Sequence, residues 1–397
     1  MNVFYKAYCR IFQKCLYVGC FFLDFSEPKL ISDNEGIKKI PEILKDKKIL
    51  IVTDETLYSL GLIKPLEEEL NREKRTYKVF KNVVPNPTIE NVEEGLKVYK
   101  ENGLDAIVAI GGGSVMDCAK TIGARATNPK KSVSKMKGLL KLRHKLPPLI
   151  AVPTTAGTGS ETTLAAVISD PKNKDKYAIE DPKLIPDYAF LDPNLLVGLP
   201  YKVTSTTGMD ALCHAVEAYI GSSNTSKTKD RAEKAVKLIF ENLEKSCQEP
   251  KNLTYRTNMQ LAAYYAGIAF TRAYVGYVHS LSHAVSAFYN TPHGLAIAIC
   301  MPYVLKAYGK KAYKKLAKLA DIVGIKGDSI QDKANKFIQA IEELNSKLNI
   351  PSSFEGIIKK EDIPTLAQHA AKEGNPLYPV PKIMSAKELE KIYYEMI

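Results

Sequence analysis

The hydrophobic pattern changes near residue 199 of this 397-residue chain, and this change constrains the fold more than any other feature. Before it, short apolar runs alternate with amphipathic stretches such as Thr88–Tyr99, a pattern typical of a parallel sheet covered on both faces by helices. From Val203 onward almost only the helical period remains. The sequence therefore predicts an α/β domain over residues 1–199 and an all-helical domain over residues 200–397. The strand-like runs are Lys48–Thr53, Tyr77–Phe80, Ala106–Ile110, Leu149–Val152, Leu164–Ser169 and Tyr188–Leu191.

The charge balance is basic, with 56 Lys and Arg against 44 Asp and Glu. A net charge of +12 is compatible with an anionic partner, but the excess is diffuse and no basic motif with interleaved aromatic residues is present, so we expect no nucleic acid. One segment, between Asp117 and Glu161, contains nine Lys and Arg and no acidic residue. This run of basic residues favours a solvated loop for the segment. The alternative is a positive rim beside an anion site.

The cysteines and the N-terminus bear on localisation. Seven cysteines without a C-x-x-C pair indicate a reducing, cytoplasmic setting rather than disulfides or a zinc ribbon. The apolar run Cys15–Leu23 follows basic residues, but it is short, is closed by Asp24 and has no small-residue cleavage site after it. This favours an aromatic strand or hairpin over a signal peptide. Because no other run approaches the length of a membrane span, we expect no membrane partner.

Two glycine- and hydroxyl-rich turns follow predicted strands. Ala106–Ile110 leads into Gly-Gly-Gly-Ser at 111–114, and a helix-like stretch follows, which is an arrangement that directs backbone N–H groups at an anion. Taken alone, this sequence fits a tight turn between a strand and a helix as well as it fits an anion-binding turn. The second turn, Pro153–Thr163, contains six hydroxyl side chains. Together the two turns suit a nucleotide that lies across the carboxyl edge of the sheet.

Asp54 ends the first strand in the sequence VTDETL. A carboxylate at this point can accept hydrogen bonds from the ribose hydroxyls of an adenosine and repels a 2′-phosphate. Taken alone, Asp54 is better explained as the N-cap of the following helix.

Histidines and one carboxylate recur at helical spacing in the second half. Asp210 and His214 are four residues apart, as are His279 and His283, and His293 follows. Residues four apart share one helix face and can bind one cation. Imidazoles with a carboxylate and no thiolate suit Fe²⁺ or Zn²⁺ better than Mg²⁺ or Ca²⁺. Cys213 lies about a third of a turn from His214 and is not counted as a ligand.

Four long motifs carry a resemblance to a known family. GGGSVMDCAK, PTTAGTGSETT, GMDALCHAVEAY and HSLSHAVSAFYNTPHG are similar, in order and spacing, to those of the iron-containing (group III) alcohol dehydrogenases, which include lactaldehyde reductases, butanol dehydrogenases and 1,3-propanediol dehydrogenases. The likeness extends from about Lys48 to the C-terminus and includes VVPNPT, DPKLIPDYAFLDP and Asn375-Pro376. The first forty-odd residues match less clearly.

The resemblance implies a dehydroquinate-synthase-like fold of two domains, a homodimer, and hydride transfer between NAD(H) and a small primary alcohol or aldehyde. It assigns His283 to proton transfer. The implied metal ligands are Asp210, His214, His279 and His293, for Fe²⁺ or else Zn²⁺. The implied cofactor-binding residues are Asp54, Asn86, Gly112, Gly113, Ser114, Thr154, Thr155, Thr158, Thr163, Lys176 and Leu196. The carboxylate of Asp54 favours NAD over NADP.

An alternative within the same superfamily is a lyase or a polyol-phosphate dehydrogenase, similar to dehydroquinate synthase or glycerol-1-phosphate dehydrogenase. Such sites surround a polyanionic substrate with basic side chains. The stretch from Tyr274 to Tyr303 contains no Lys or Arg, which favours a neutral substrate.

Overall fold

The computed structural model describes residues 2–32, 36–173 and 175–397. They form two compact units, one of Asp24–Gly198 and one that combines the residues up to Leu23 with Leu199–Ile397. The strands are β1 (Lys29–Ser32), β2 (Ile49–Val52), β3 (Tyr77–Phe80), β4 (Ala106–Gly111), β5 (Gly138–Leu139), β6 (Leu149–Pro153), β7 (Ala165–Asp170), β8 (Asp175–Glu180) and β9 (Tyr188–Leu191).

The helices of eight or more residues alternate with strands in the first unit and follow one another in the second. In chain order, and with the shorter α2 and α3 included, they are α1 (Val3–Gly19), α2 (Ile40–Ile43), α3 (Glu55–Ser59), α4 (Lys64–Arg72), α5 (Ile89–Glu101), α6 (Gly113–Thr127), α7 (Tyr201–Ile220), α8 (Ser226–Gln248), α9 (Leu253–Ala273), α10 (Tyr277–Tyr289), α11 (His293–Tyr308), α12 (Lys310–Ile322), α13 (Ile330–Lys347), α14 (Ile363–Gly374) and α15 (Ala386–Glu395).

The α/β unit is built on a six-stranded sheet in the order β1-β9-β6-β4-β2-β3, and all of its strand pairs are parallel. Every residue of β2, β4 and β6 is buried, as their continuous apolar sequences predict for central strands with both faces covered. The predicted class, a parallel α/β domain followed by an all-helical domain, is confirmed.

The run Leu164–Ser169 was expected in this sheet, and that expectation is wrong. It forms β7, which pairs antiparallel with β8 in a separate three-stranded sheet of order β5-β8-β7. The link from Asp170 to Asp175 is too short for the crossover that a parallel neighbour requires, so the chain can only turn back on itself.

The helical unit consists of α7 to α15 together with α1. Several of its helices begin with a side-chain cap: Thr225 and Thr228 form a capping box at α8, Ser385 and Glu388 form one at α15, and Ser329 caps α13. None of the described helices has the length and apolarity needed to cross a bilayer.

The N-terminal segment differs from the expected strand or hairpin. Residues 3–19 form α1, with Asn2 as its N-cap, and a 3₁₀ turn over Cys20–Phe22 follows. Cys9, Gln13 and Cys20 are buried at spacings of four and seven residues, which is the helical period that the aromatic composition obscured. This segment groups with the helical unit. The predicted α/β domain of residues 1–199 had included it, and the structure instead begins that domain at Asp24.

Candidate functional site

The metal-type side chains come from three neighbouring helices. α7 carries Asp210 and His214, α10 carries His279 and His283, and α11 begins at His293. Both α7 residues are buried within a helix whose middle and last turns are wholly buried. Asp210, His214 and His279 therefore face the interior of the helical unit, whereas His283, on the same face of α10 as His279, is exposed.

Three imidazoles surround one carboxylate oxygen. Oδ1 of Asp210 lies 3.8 Å from Nδ1 of His214, 3.8 Å from Nε2 of His279 and 3.5 Å from Nε2 of His293. With ligand bonds of about 2.1 Å, neighbouring ligand atoms of a tetrahedral site lie about 3.4 Å apart, so these separations suit a shared cation. Ligand atoms of Asp210, His279 and His293 all lie within 4.8 Å of one another.

His214 borders this group. Its ring stacks on Phe270, with 4.1 Å between the ring centroids and 13° between the planes, and lies 4.6 Å from the ring of His279. The structure thus brings all four predicted ligands together, with three of them in mutual reach and His214 in contact through Asp210.

Unsatisfied polar atoms test whether these residues fit a metal. Oδ1 of Asp210, Nδ1 of His214 and Nε2 of His279 are buried, and among the described residues they have no hydrogen-bond partner. A buried polar atom without a partner is costly, because its interaction with water is lost and not replaced. Three such atoms that face one another fit a divalent cation, which would satisfy all of them at once.

The protonation states agree with this interpretation. Burial lowers the pKa of His214 and of His279 to about 3, which leaves both rings neutral near pH 7 with a lone pair to donate. Burial alone would raise the pKa of Asp210, but its electrostatic interactions with the rings of His214, His293 and His279 outweigh burial and hold that pKa below its usual range. Asp210 is therefore the anionic member of this group of candidate ligands.

Glu217, one further turn along α7, orients His279. Its Oε2 lies 2.6 Å from Nδ1 of His279 and accepts the backbone N–H of Gly276 at 2.7 Å, and its Oε1 accepts the N–H of Val278 at 2.8 Å. A carboxylate at Nδ1 retains the proton there and leaves Nε2 free to bind a metal. Burial raises the pKa of Glu217 to about 7.

Two glycines allow this close packing. A Cβ on Gly276 would meet Oε1 of Glu217 at 2.6 Å, and a Cβ on Gly294 would meet the carbonyl oxygen of Thr206 at 2.5 Å. Any larger residue at position 276 would separate Glu217 from the start of α10. Any larger residue at position 294 would move the N-terminus of α11, and His293 with it, away from α7.

His283 lies beside the ligand group with a partner of its own. Its ring stacks on that of His293 at 5.1 Å, and its Nδ1 lies 2.7 Å from Oε1 of Glu373 on α14. The phenol of Tyr378 donates to the same carboxylate oxygen at 2.7 Å. Burial alone would raise the pKa of Glu373, but His283 outweighs it and lowers that pKa.

Cys213 is not a suitable ligand. Its Sγ lies 3.8 Å from Nδ1 of His279, and Cys213, Glu217 and His279 form a second compact group. However, that group needs the nitrogen of His279 that already faces Glu217. Burial also raises the pKa of Cys213 well above its usual value, so the group remains a thiol.

The predicted nucleotide-binding residues gather at one edge of the α/β unit. Because β2, β4 and β6 are parallel, Asp54, Gly112 and Thr154 all follow the carboxyl ends of these strands. The N–H of Thr154 donates to the carbonyl of Gly111 at 3.1 Å, which joins the two turns. A Cβ on Gly113 would approach the side chain of Thr158 to 3.1 Å, so the glycine lets the two turns lie close together.

A buried lysine holds the second turn against α6. Nζ of Lys120 donates to the carbonyl and the hydroxyl of Thr163 at 2.9 and 2.8 Å, to Oγ of Ser160 at 3.2 Å and to the carbonyl of Ala165 at 3.0 Å. Burial lowers its pKa to about 8. The carboxylate of Asp117, on the same helix, accepts from Ser160 at 3.0 Å and from the N–H of Val167 at 3.0 Å.

This burial changes the interpretation of the segment without acidic residues. Lys120 is fully buried, Arg125 pairs with Glu93 at 2.6 Å and Lys137 pairs with Asp175 at 2.5 Å. The segment also contains most of α6, the short strand β5 and all of β6, so it is not the single solvated loop that the sequence favoured.

The remaining predicted cofactor residues fall into two groups. Asn86, in a left-handed conformation at φ 57°, accepts from Nζ of Lys176 at 2.8 Å, and its N–H donates to Oγ of Ser114 at 3.3 Å. Thr155 follows Thr154 in the same turn, beside Gly112. By contrast, Thr163 has its hydroxyl on Lys120, and the side chain of Leu196 is fully buried.

Asp54 is the N-cap of α3, which is the alternative role that the sequence suggested for it. Its Oδ1 accepts the N–H of Leu57 at 2.9 Å, and its side chain is only half-buried. The cap and a ribose contact are compatible, because a carboxylate has two oxygens and several lone pairs.

Three residues of these networks were missed in the sequence: Glu217, Glu373 and Lys120. Glu217 carried a signal, because Asp210, His214 and Glu217 have the i, i+4, i+7 spacing of one helix face. Glu373 carried none, since it lies ninety residues from His283. Lys120 was counted with the surface charges because a lysine is rarely fully buried.

Comparisons with known proteins agree with this geometry. Residues 28–193 match the family described as "Iron-containing alcohol dehydrogenase", and residues 204–397 match "Fe-containing alcohol dehydrogenase family, C-terminal". A 1,3-propanediol dehydrogenase of Citrobacter freundii is 37% identical over 357 residues, covering 89% of this chain and 92% of that protein. An NAD-dependent methanol dehydrogenase of Bacillus methanolicus is 37% identical over 355 residues, covering 88% of this chain and 93% of that protein.

A solved structure is similar over most of this chain. The crystal structure of a 1,3-propanediol oxidoreductase superposes with a TM-score of 0.90 at 34% sequence identity, and the match covers 94% of this chain and 100% of that one.

Proposed function

Because this chain belongs to the iron-containing alcohol dehydrogenase family, we propose that Asp210, His214, His279 and His293 hold the catalytic ion and that this ion is Fe²⁺. The protein is an oxidoreductase that transfers a hydride between NAD(H) and a small primary alcohol or the corresponding aldehyde. The superfamily alternative, a lyase or polyol-phosphate dehydrogenase, has no support from these relatives.

One observation carries the assignment of the ion. Three imidazole nitrogens face a single carboxylate oxygen at 3.5 to 3.8 Å, and three of these four atoms are buried without a hydrogen bond among the described residues. A core histidine that serves only packing would have a partner on each buried nitrogen. Nitrogen and oxygen donors without a thiolate suit Fe²⁺, and Zn²⁺ is the competing ion.

The side chains have separate tasks in this reaction. When bound, a divalent ion supplies Lewis acidity, which favours the deprotonated form of an alcohol. Asp210 contributes the negative charge of the ligand set. Glu217 keeps the proton of His279 on Nδ1. The buried, neutral rings of His214 and His279 exclude water and keep their lone pairs available.

His283 is proposed to transfer the proton. Its Nδ1 faces Glu373 and its ring stacks on that of His293, so the imidazole is held beside the ligand group, where it would accept or release a proton through Nε2. The histidine is about 44% exposed, which gives the proton a route to solvent.

The cofactor is proposed to bind along the carboxyl edge of β2, β4 and β6. The Gly112–Ser114 turn and the N-terminus of α6 direct backbone N–H groups towards a pyrophosphate. The adjacent turn is lined by Thr154, Thr155 and Thr158. Its end is held in place by the hydrogen bond between Lys120 and the hydroxyl of Thr163. Asp54 favours NAD over NADP. We also propose a homodimer and a cytoplasmic setting, on the family resemblance and the cysteine content.

Metal analysis of two variants tests the proposal. His279→Ala should lose both bound metal and turnover, whereas His369→Ala, an exposed histidine outside the group, should keep both. Full activity in protein stripped of metal, or normal metal content in His279→Ala, would refute the assignment. Reconstitution of stripped protein with Fe²⁺ or Zn²⁺ distinguishes the two ions, and a panel of alcohols and aldehydes with NADH and NADPH identifies the substrate.

A further inference from the structure

The N-terminal helix α1 lies outside the region that matches the family, which begins at residue 28. It is nevertheless firmly attached to the helical unit by its inner face. Arg10 donates to the carbonyls of Val380 and Pro381 at 2.7 and 2.9 Å, and Nε2 of Gln13 donates to the carbonyl of Tyr378 at 2.7 Å. The helix is therefore an added element with a fixed orientation.

The outer face of α1 is a continuous apolar stripe. Its members follow one another at spacings of four, three, four and three residues, which aligns them along one side of a helix. They are Phe4, Tyr8, Ile11, Cys15 and Val18, all exposed. Phe21 and Phe22 extend the stripe beyond the helix. Phe4 is 82% exposed and Phe22 is 85% exposed, although large aromatic side chains are normally among the most buried.

Positive charge lies beside this stripe at Lys14, whereas Lys6 and Arg10 lie towards the inner face of α1. Residues 1–23 contain Lys6, Arg10 and Lys14 and no acidic residue. Beside α1 lies a pocket of about 350 Å³ whose lining includes Arg10, Lys14, Lys311, Lys315, Ser222 and Ser223. No carboxylate is among the described residues that line it. Lys315 is fixed at the pocket wall, because its Nζ donates to the carbonyl of Ile220 at 3.0 Å.

This charge pattern discriminates between two occupants of the stripe. In a pair of α1 helices from two copies of the chain, no flanking Glu or Asp of α1 would be available to meet Lys14, so the pair would gain no ion pair between the helices. At an anionic lipid surface, the stripe can be buried among the acyl chains, and the lipid phosphates can bind the cations beside the stripe and in the pocket. Charge complementarity therefore favours the lipid surface.

We propose that α1 docks this protein on an anionic lipid bilayer, with the Phe4–Val18 stripe and the following Phe21 and Phe22 in the interfacial region and lipid phosphates at Lys14 and the adjacent basic pocket. The helix lies on the membrane and does not cross it, which is consistent with the absence of a spanning helix among the described residues. This proposal revises the expectation from sequence that the protein has no membrane partner.

Flotation of the full-length protein with vesicles tests the proposal. We expect binding to vesicles of an equimolar phosphatidylcholine–phosphatidylglycerol mixture, weaker binding to phosphatidylcholine alone, and weaker binding at high salt. Phe4→Ser combined with Phe22→Ser should weaken binding at least about tenfold, because each phenylalanine loses the gain from burial. Lys14→Glu combined with Lys311→Glu should weaken binding to the anionic vesicles selectively.

Matched controls are the exposed Leu60→Ser and Lys97→Glu, which lie in the α/β unit and should bind vesicles as the unmodified protein does. Alcohol oxidation in vesicle-free buffer should be unchanged in all variants, which shows that they fold. Absence of binding to anionic vesicles, or equal binding by the stripe variant, overturns the proposal. If the stripe variant instead lowers the mass in sedimentation without any vesicle binding, the stripe is an interface between copies and the proposal is wrong.

Discussion

Both units of this protein bury ionisable side chains, and Lys120 of the α/β unit differs from the Asp210 group of the helical unit in how its polar atoms are satisfied. In the α/β unit, Lys120 is fully buried and its ammonium donates to four oxygen atoms. In the helical unit, Asp210, His214 and His279 are as deeply buried, yet one atom of each has no hydrogen bond among the described residues. A satisfied buried charge holds backbone segments in place, whereas a set of unsatisfied atoms that converge marks the position of a ligand.

The nucleotide edge and the metal group therefore depend on different parts of the chain. In the proposed nucleotide site, backbone N–H groups would contact the ligand, and side chains such as Lys120 fix the turns that carry them. In the proposed metal site, side-chain atoms would contact the ion directly, and Glu217 fixes the ring of His279. Substitutions in the two units should affect different quantities.

The largest effect is expected for Lys120→Met. The change leaves Asp117 and Glu161 buried without their cation, and removing one member of a buried ionic group costs about 3 kcal/mol or more. We expect the free energy of unfolding of the α/β unit, followed by circular dichroism in urea, to fall by about that amount. Metal content at low denaturant should be unchanged. Lys97→Met, at an exposed position, is the control, and equal stability of the two variants would contradict the role of Lys120.

Glu217→Gln should reduce metal affinity about 10- to 100-fold, as is usual when the partner of a ligating histidine is changed. A glutamine has one acceptor oxygen for the three N–H groups that Glu217 receives, and its amide can force the proton of His279 onto Nε2. Competition with a chelator measures the affinity, and NADH binding serves as the quantity that should not change. Cys213→Ala should retain the metal; its loss there would instead support the group of Cys213, Glu217 and His279.

Asp54→Gly should raise kcat/KM with NADPH about tenfold, because removal of the carboxylate removes a like-charge contact with a 2′-phosphate. Asp54→Asn separates the charge from the cap, since asparagine still caps α3. Both variants should gain NADPH use. A preference of the unmodified enzyme for NADPH, or no gain in either variant, would show that Asp54 acts only as the helix cap.

The smallest effect is expected for Glu373→Gln, which should lower kcat about fivefold and leave KM and metal content unchanged, because the glutamine keeps a hydrogen bond to Nδ1 of His283 but not the charge. Tyr378→Phe removes only the donor to Glu373 and should have a weaker effect in the same direction. A change in metal content in either variant would show that Glu373 contributes to metal binding. It would then not act only by orienting His283, as the comparison assumes.

Local chemistry made much of this protein readable from its sequence. The strands β2, β4 and β6 were predicted to within about one residue, because a central parallel strand must be apolar on both faces. The grouping of Asp210 with His214 followed from the helical period alone. The N-terminal segment was misread, because its aromatic residues favour strands while the burial of Cys9, Gln13 and Cys20 follows a helix.

The sequence by itself determined the fold class and, through its motifs, the family, and the resemblance to that family then selected four candidate ligands from the five clustered residues. The fold class and the family depend on periodicity and on motifs within single segments. Only the tertiary structure decided three further features. Lys120 is buried under the glycine- and hydroxyl-rich turns, Glu373 contacts His283, and the apolar stripe of α1 is exposed. These features depend on contacts between residues far apart in the chain, which local patterns do not encode, and on which face of an element the rest of the fold covers.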